Sequence, residues 1–148
     1  MMRIAVALLA LLTFACASTP YQRSAEKEVL DAAQRVFDVM EAGDAQALAA
    51  LLHPDARLAA VIDGEAKIRT GEEWVAGIAA SREPVRERMW NPRVNVAGDV
   101  ASVWAPYDLR IGERFSHCGT NAMHFVRSDG AWRLLSVTFT VQKEGCDR

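Results

Sequence analysis

Asp108 and His117 are the two residues of this 148-residue chain whose types and placing could do acid–base chemistry. Gly112-Glu113 reads as a two-residue hairpin loop, so Ile111 faces Arg114 and the ladder sets Asp108 opposite His117. Directly opposed residues hold their Cβ atoms about 4.5–5.5 Å apart. A carboxylate at that distance raises the pKa of an imidazole and fixes its tautomer, which is what a general base needs. The same ladder sets Trp104 opposite Asn121, and the Asp129-Gly130 turn sets Asn121 opposite Thr138 and Met123 opposite Ser136. One sheet face then carries Trp104, Asp108, His117, Asn121, Met123 and Thr138, a set that could orient a small ligand. The plain alternative is that Asp108 and His117 merely satisfy each other as buried polar groups. The catalytic alternative makes His117 the base and Asp108 its orienting partner, with Tyr107 as an electrophilic donor if a bulge turns it inward.

The elements that must position these residues are legible in the patterning. Ala25 to Glu41 repeats apolar residues at Val29, Ala32, Val36 and Met40, one face of a helix ended by Gly43. Asp44 caps a second, shorter helix that stops at His53-Pro54. Thr70-Gly-Glu-Glu73 is a capping box that opens a third helix containing Trp74, Val75 and Ile78. Between them, Arg57 to Ile62 and Ala66 to Arg69 form a hairpin around Asp63-Gly64. Four strands follow, Val85 to Val96, Val100 to Ile111, Phe115 to Arg127 and Trp132 to Gln142, with a bulge or bend expected at Pro106. Three helices and then an antiparallel meander make an α+β fold with the helices on one face of the sheet. Trp132 and Leu134 read as core anchors, which assigns the Asp108–His117 face to the interior. The more aliphatic face, with Val103, Leu109, Val137, Phe139 and Val141, is then the outer one.

The N-terminus reads as an export signal: Arg3, an apolar run from Ile4 to Leu12, then small residues at Ala15, Cys16 and Ala17. The run is too short for a bilayer, which takes roughly 20 apolar residues. Two cleavage readings stand. Cleavage after Ala17 is one. The other resembles a bacterial lipoprotein signal, with Cys16 bearing the lipid and residues 18–24 serving as a tether; Thr13 and Phe14 depart from that pattern. The resemblance implies a periplasm-facing anchor at the outer membrane. Residues 1–17 are then the signal and 25–148 one domain of ordinary size, about 130 residues with the tether. With Cys16 acylated or removed, Cys118 and Cys146 remain as an even pair in an oxidising compartment, either bridged or as two buried thiols.

Other chemistries find no support. His53, His117, Cys118, His124 and Cys146 have no zinc-type spacing, and there is no nucleophile elbow or phosphate loop, so no metal or cofactor is expected. The net charge of −2 is mixed along the chain without a basic run, which argues against nucleic acid.

The order of a long helix, a Gly-Asp-initiated short helix ending in His53-Pro54-Asp55, a small hairpin, a capped helix and long strands ending in Gly130-Ala-Trp-Arg-Leu134 resembles the nuclear-transport-factor-2-like (SnoaL-like) superfamily. Ala105-Pro-Tyr-Asp-Leu109, Phe115-Ser-His-Cys-Gly-Thr-Asn-Ala-Met123 and Lys143-Glu-Gly-Cys146 are similar, more narrowly, to its putative lumazine-binding branch. The resemblance implies a cone-shaped α+β barrel and a homodimer formed through the outer sheet face. The superfamily holds isomerases, dehydratases, cyclases and binders without chemistry, so three functions stay open. They are an exported small-molecule binder, an acid–base enzyme using His117 and Asp108, and a cell-envelope interaction module.

Overall fold

The computed structural model describes residues 20–146. The export signal, Cys16 and the first two residues of the expected tether lie outside the described residues.

Helix α1, Pro20–Glu41, starts earlier than its apolar stripe requires. Proline suits a first helical position, where its missing N–H has no partner to lose, and residues 20–24, expected as part of a tether, are helical. Ala25, Val29, Ala33, Val36, Phe37 and Met40 form its buried face. Helix α2, Ala45–Leu51, is capped by Asp44, whose carboxylate accepts from Ala47 N at 2.9 Å. Helix α3, Gly71–Ala80, opens with the reciprocal Thr70–Glu73 box, at 3.1 and 2.8 Å. No described helix is long and apolar enough to cross a membrane.

The strands are β1 (Leu52–Ile62), β2 (Glu65–Thr70), β3 (Val85–Met89), β4 (Arg93–Ala97), β5 (Val100–Ile111), β6 (Arg114–Ser128) and β7 (Ala131–Thr140). They form one curved, unclosed sheet in the order β2-β1-β7-β6-β5-β3, with β4 also paired to β5. All pairings are antiparallel except β1 with β7, a parallel contact that brings the first hairpin onto the last strand. The helices cover one face, where a single core joins α1, α2 and α3 to Leu58, Val103, Met123, Phe125, Leu134 and Val137.

The stretch read as one strand from Val85 to Val96 is two. Asn91 adopts φ +46 and Pro92 lacks an N–H, so pairing with β5 breaks between Met89 and Arg93. The same break accommodates Pro106. Its carbonyl accepts from Trp90 N at 3.2 Å, so the missing Pro106 N–H falls at the gap between β3 and β4. No register shift occurs at Pro106, and β5 runs through it without a bulge.

The shifts occur elsewhere and change which residues share a face. In β6, Leu109 pairs with His117 and Arg110 with Phe115, which leaves Ser116 as an extra residue. In β7, Phe125 pairs with Leu134 and His124 with Ser136, which leaves Leu135 as an extra residue. Each bulge moves the ladder by one position, and one position reverses the faces of a strand. Asp108 is therefore opposite Cys118, Trp104 opposite Ala122, Asn121 opposite Phe139 and Met123 opposite Val137. Val103, Leu109, Val137, Phe139 and Val141, expected on the outer face, pack into the core or line the cavity beneath the helices.

Candidate functional site

Between the helical layer and the concave face of the sheet lies a cavity of about 390 Å³. Met40 of α1, Trp74 and Ile78 of α3, Leu58 and Ala60 of β1, and Leu109 and Ile111 of β5 supply walls; Phe139 and Val141 supply more. These residues point there because strand alternation aims every second side chain at the helices, and the helical stripes supply the opposing surface. Only two lining groups are polar and ionisable, His117 and Arg69.

His117 is half-buried. Its Nδ1 lies 2.9 Å from Ser116 Oγ, while its Nε2 is buried and has no hydrogen-bond partner. The bulge at Ser116 is what turns His117 to the concave side and places its own neighbour's hydroxyl beside the ring. Burial, and secondarily the positive charge of Lys143, holds the imidazole pKa below its ordinary value. His117 is thus neutral near pH 7, with one ring nitrogen unsatisfied, a costly arrangement inside a protein unless something pairs with it.

Beside His117, the Tyr107 ring packs edge-on at 5.8 Å and donates its hydroxyl to the Thr140 carbonyl at 2.8 Å. Burial, and the nearby Glu87 charge, raise the phenol pKa, so it stays a neutral donor. That contact depends on Gly119. A Cβ there would lie 2.0 Å from the Thr140 carbonyl oxygen, so only glycine lets the end of β7 come this close to β6.

Glu87 is the functional candidate that reading the sequence misses. It pairs with Leu109 on β3 and accepts a hydrogen bond from Asn121 Nδ2 at 2.6 Å across β5. Loss of hydration pushes its carboxyl up to about 7, against the opposing help of the Asn121 bond, and the charge of Asp108 pushes the same way. The signal was available: in Val85-Arg-Glu-Arg-Met89, period two puts Glu87 on the face of Val85 and Met89.

The six residues expected to share a pocket divide between the two sides of the sheet. His117, Asn121 and Met123 are on the concave side, with Asn121 committed to Glu87 and Met123 buried in the core. Trp104 and Thr138 are exposed on the convex side. Asp108 is also there, buried between Arg88 of β3 and Cys118 of β6, and Arg88 Nε donates to it at 2.9 Å with a second bond from Nη2. Asp108 therefore does not orient His117, and the catalytic pair inferred from the ladder is not assembled. Cys118 is joined to Cys146. Among the described residues, no group of three His, Cys, Asp or Glu side chains could hold a metal ion.

A second hollow, about 550 Å³, lies between α2, the start of α3 and the β6–β7 turn. Its ionisable groups are already engaged or in solvent. His53 Nδ1 accepts from Asp55 N, Arg133 donates to the Ala50 carbonyl, and Glu72 and Asp129 are exposed. The smaller cavity, with its orphaned imidazole nitrogen, is the better candidate.

The sequence model of the family described as "Putative lumazine-binding" matches residues 24–140. No curated protein matches. Solved structures share the fold at low identity. An NTF2-like protein from Cytophaga hutchinsonii is 20% identical with a TM-score of 0.66, over 82% of this chain and 98% of that one. A protein described as a putative dehydratase of the NTF2-like family, from Streptomyces avermitilis, is 22% identical with a TM-score of 0.67, again over 82% and 98%. A putative calcium/calmodulin-dependent protein kinase II association domain from Xanthomonas campestris is 17% identical with a TM-score of 0.67, over 86% and 94%.

Proposed function

The chain belongs to the "Putative lumazine-binding" family and shares the fold of NTF2-like proteins, and from that premise we propose that it is an exported binder of a small, mainly apolar molecule. The observation that carries the reading is the cavity of about 390 Å³, apolar on nearly every wall, into which one buried and unpartnered polar atom, His117 Nε2, introduces a directional contact. Concave, mainly apolar walls with a few polar groups are the ordinary make-up of a small-molecule site. In this reading the protein works in the periplasm, as an outer-membrane lipoprotein when Cys16 is acylated. A homodimer would form through the convex face around the exposed Trp104.

Native mass spectrometry of the mature protein isolated from its host tests this. A reproducible small-molecule adduct on a monomer or dimer is the expected result. Protein that is ligand-free in every preparation, and that takes up no apolar probe added afterwards, would refute it.

One observation favours a second reading, an acid–base enzyme of dehydratase or isomerase type. A carboxyl with a pKa of about 7, Glu87, sits on the concave face, and a group titrating near the working pH suits proton transfer. In that reading Glu87, held by Asn121, itself carries the proton in place of the His117–Asp108 pair.

A further inference from the structure

Resting on the binding reading above, we infer that the cavity takes a long apolar organic acid, its carboxylate at Arg69 and its hydrocarbon body against the inner walls, and not a pteridine. Arg69 lines the cavity yet remains exposed, which places it at the mouth. Its side chain makes no hydrogen bond or ion pair with any described residue, unlike Arg86, Arg88, Arg114 and Arg127, each of which holds a carboxylate. An unpaired guanidinium opening onto an apolar chamber offers an anion a charge-assisted, two-point contact. His117 cannot be that anion's partner, since burial keeps its ring neutral. It is left to contact an uncharged oxygen further in.

The spacing sets a length. Arg69 is on β2 and His117 on β6, with β1 and β7 between them in the sheet. Three strand-to-strand steps amount to about 14 Å measured along the sheet, an upper bound on the span across its concave side, so a molecule touching both groups reaches across the cavity. The chemistry of the walls excludes a polar heterocycle. A pteridine carries hydrogen-bonding atoms around most of its edge, and the lining side chains that could meet them are three, Arg69, His117 and the Trp74 indole. Each donor or acceptor left unmet in such surroundings weakens binding.

Titration calorimetry on the full mature protein tests the assignment with dodecanoate, dodecanol, 12-hydroxydodecanoate and lumazine. Dodecanoate is expected to bind with one-to-one stoichiometry and more tightly than dodecanol. Arg69→Gln should weaken dodecanoate about two- to fivefold, the modest factor appropriate to a charge still open to solvent, and leave dodecanol unchanged. Arg69→Lys should retain most of the affinity. A terminal hydroxyl should strengthen binding in the native protein and not in His117→Phe. Equal affinity for acid and alcohol, or indifference of dodecanoate to Arg69→Gln, would overturn the anion assignment while leaving the binding reading intact. Lumazine binding more tightly than dodecanoate would overturn the ligand class. Failure of all four probes, dodecanol included, would overturn the ligand class, and together with ligand-free protein in native spectra it would remove the binding reading itself.

Discussion

Glu87 is the side chain whose charge the fold governs most directly, and its consequence is a pH dependence of stability. Its carboxyl is raised from an ordinary 4.5 to about 7, so the folded protein holds this proton more tightly than the unfolded chain. Stability from this group is fully present below about pH 4.5, falls as pH rises, and is lost above about pH 7. The whole change amounts to about 3 kcal/mol. Glu87→Gln removes the charge and keeps an oxygen for Asn121 to donate to. It should therefore flatten the profile between pH 4.5 and 7 and stabilise the protein at pH 8. Urea unfolding at pH 5 and pH 8 reads this directly, and a variant less stable than the native protein at pH 8 would show that the carboxylate is held charged by partners. The same residue makes the enzyme reading testable, because loss of a turnover with the fold intact would point to Glu87 as a proton carrier.

At the scale of elements, the end of β7 is fixed to β6 by a contact that tolerates no side chain. Gly119→Ala puts a methyl group 2.0 Å from the Thr140 carbonyl oxygen, a backbone atom that cannot rotate away. Relief requires β7 to shift, which would break the Tyr107–Thr140 hydrogen bond and move Phe139, in edge-on contact with Tyr107. The expected cost is about 3 kcal/mol or more, read as a lower denaturation midpoint. A cost below about 1 kcal/mol would mean that this strand end moves freely. The helices, their caps and the turns were legible in the sequence because each rests on local chemistry: Asp44 beside Ala47, Thr70 beside Glu73, Asp129-Gly130 between two strands. Strand register was not. Nothing in Ser116 or Leu135 as residue types announces a bulge, and each bulge reversed the faces beyond it. Asp108 thus went from supposed partner of His117 to partner of Arg88, and Trp104 and Thr138 to the outside. The parallel β1–β7 contact was equally hidden, since it joins segments far apart in the chain. His117 reached the concave side only through a bulge that no local pattern encodes.

For the whole molecule, the decisive constraint is the bridge from Cys118 in β6 to Cys146 beyond β7. The 28 residues it spans include all of β7, which pairs with β6 on one side and β1 on the other, so the bridge closes the loop that completes the sheet. It also anchors the segment after Thr140, where Gln142 exchanges backbone hydrogen bonds with Cys118 at 2.9 Å and Val141 lines the cavity. A loop of this length contributes roughly 3–4 kcal/mol by restricting the unfolded chain. Cys118→Ser with Cys146→Ser should therefore lower stability by about that amount, and the native protein should respond to a reductant while the double variant does not. Hydrogen exchange separates local from global effects. If the bridge acts only on the unfolded chain, protection falls uniformly across β5, β6 and β7. If it also holds the cavity wall in place, the amides of Val141 and Gln142 lose protection first, and ligand affinity falls with them. Unchanged stability on reduction would mean that pairing between β6 and β7 alone closes this part of the sheet.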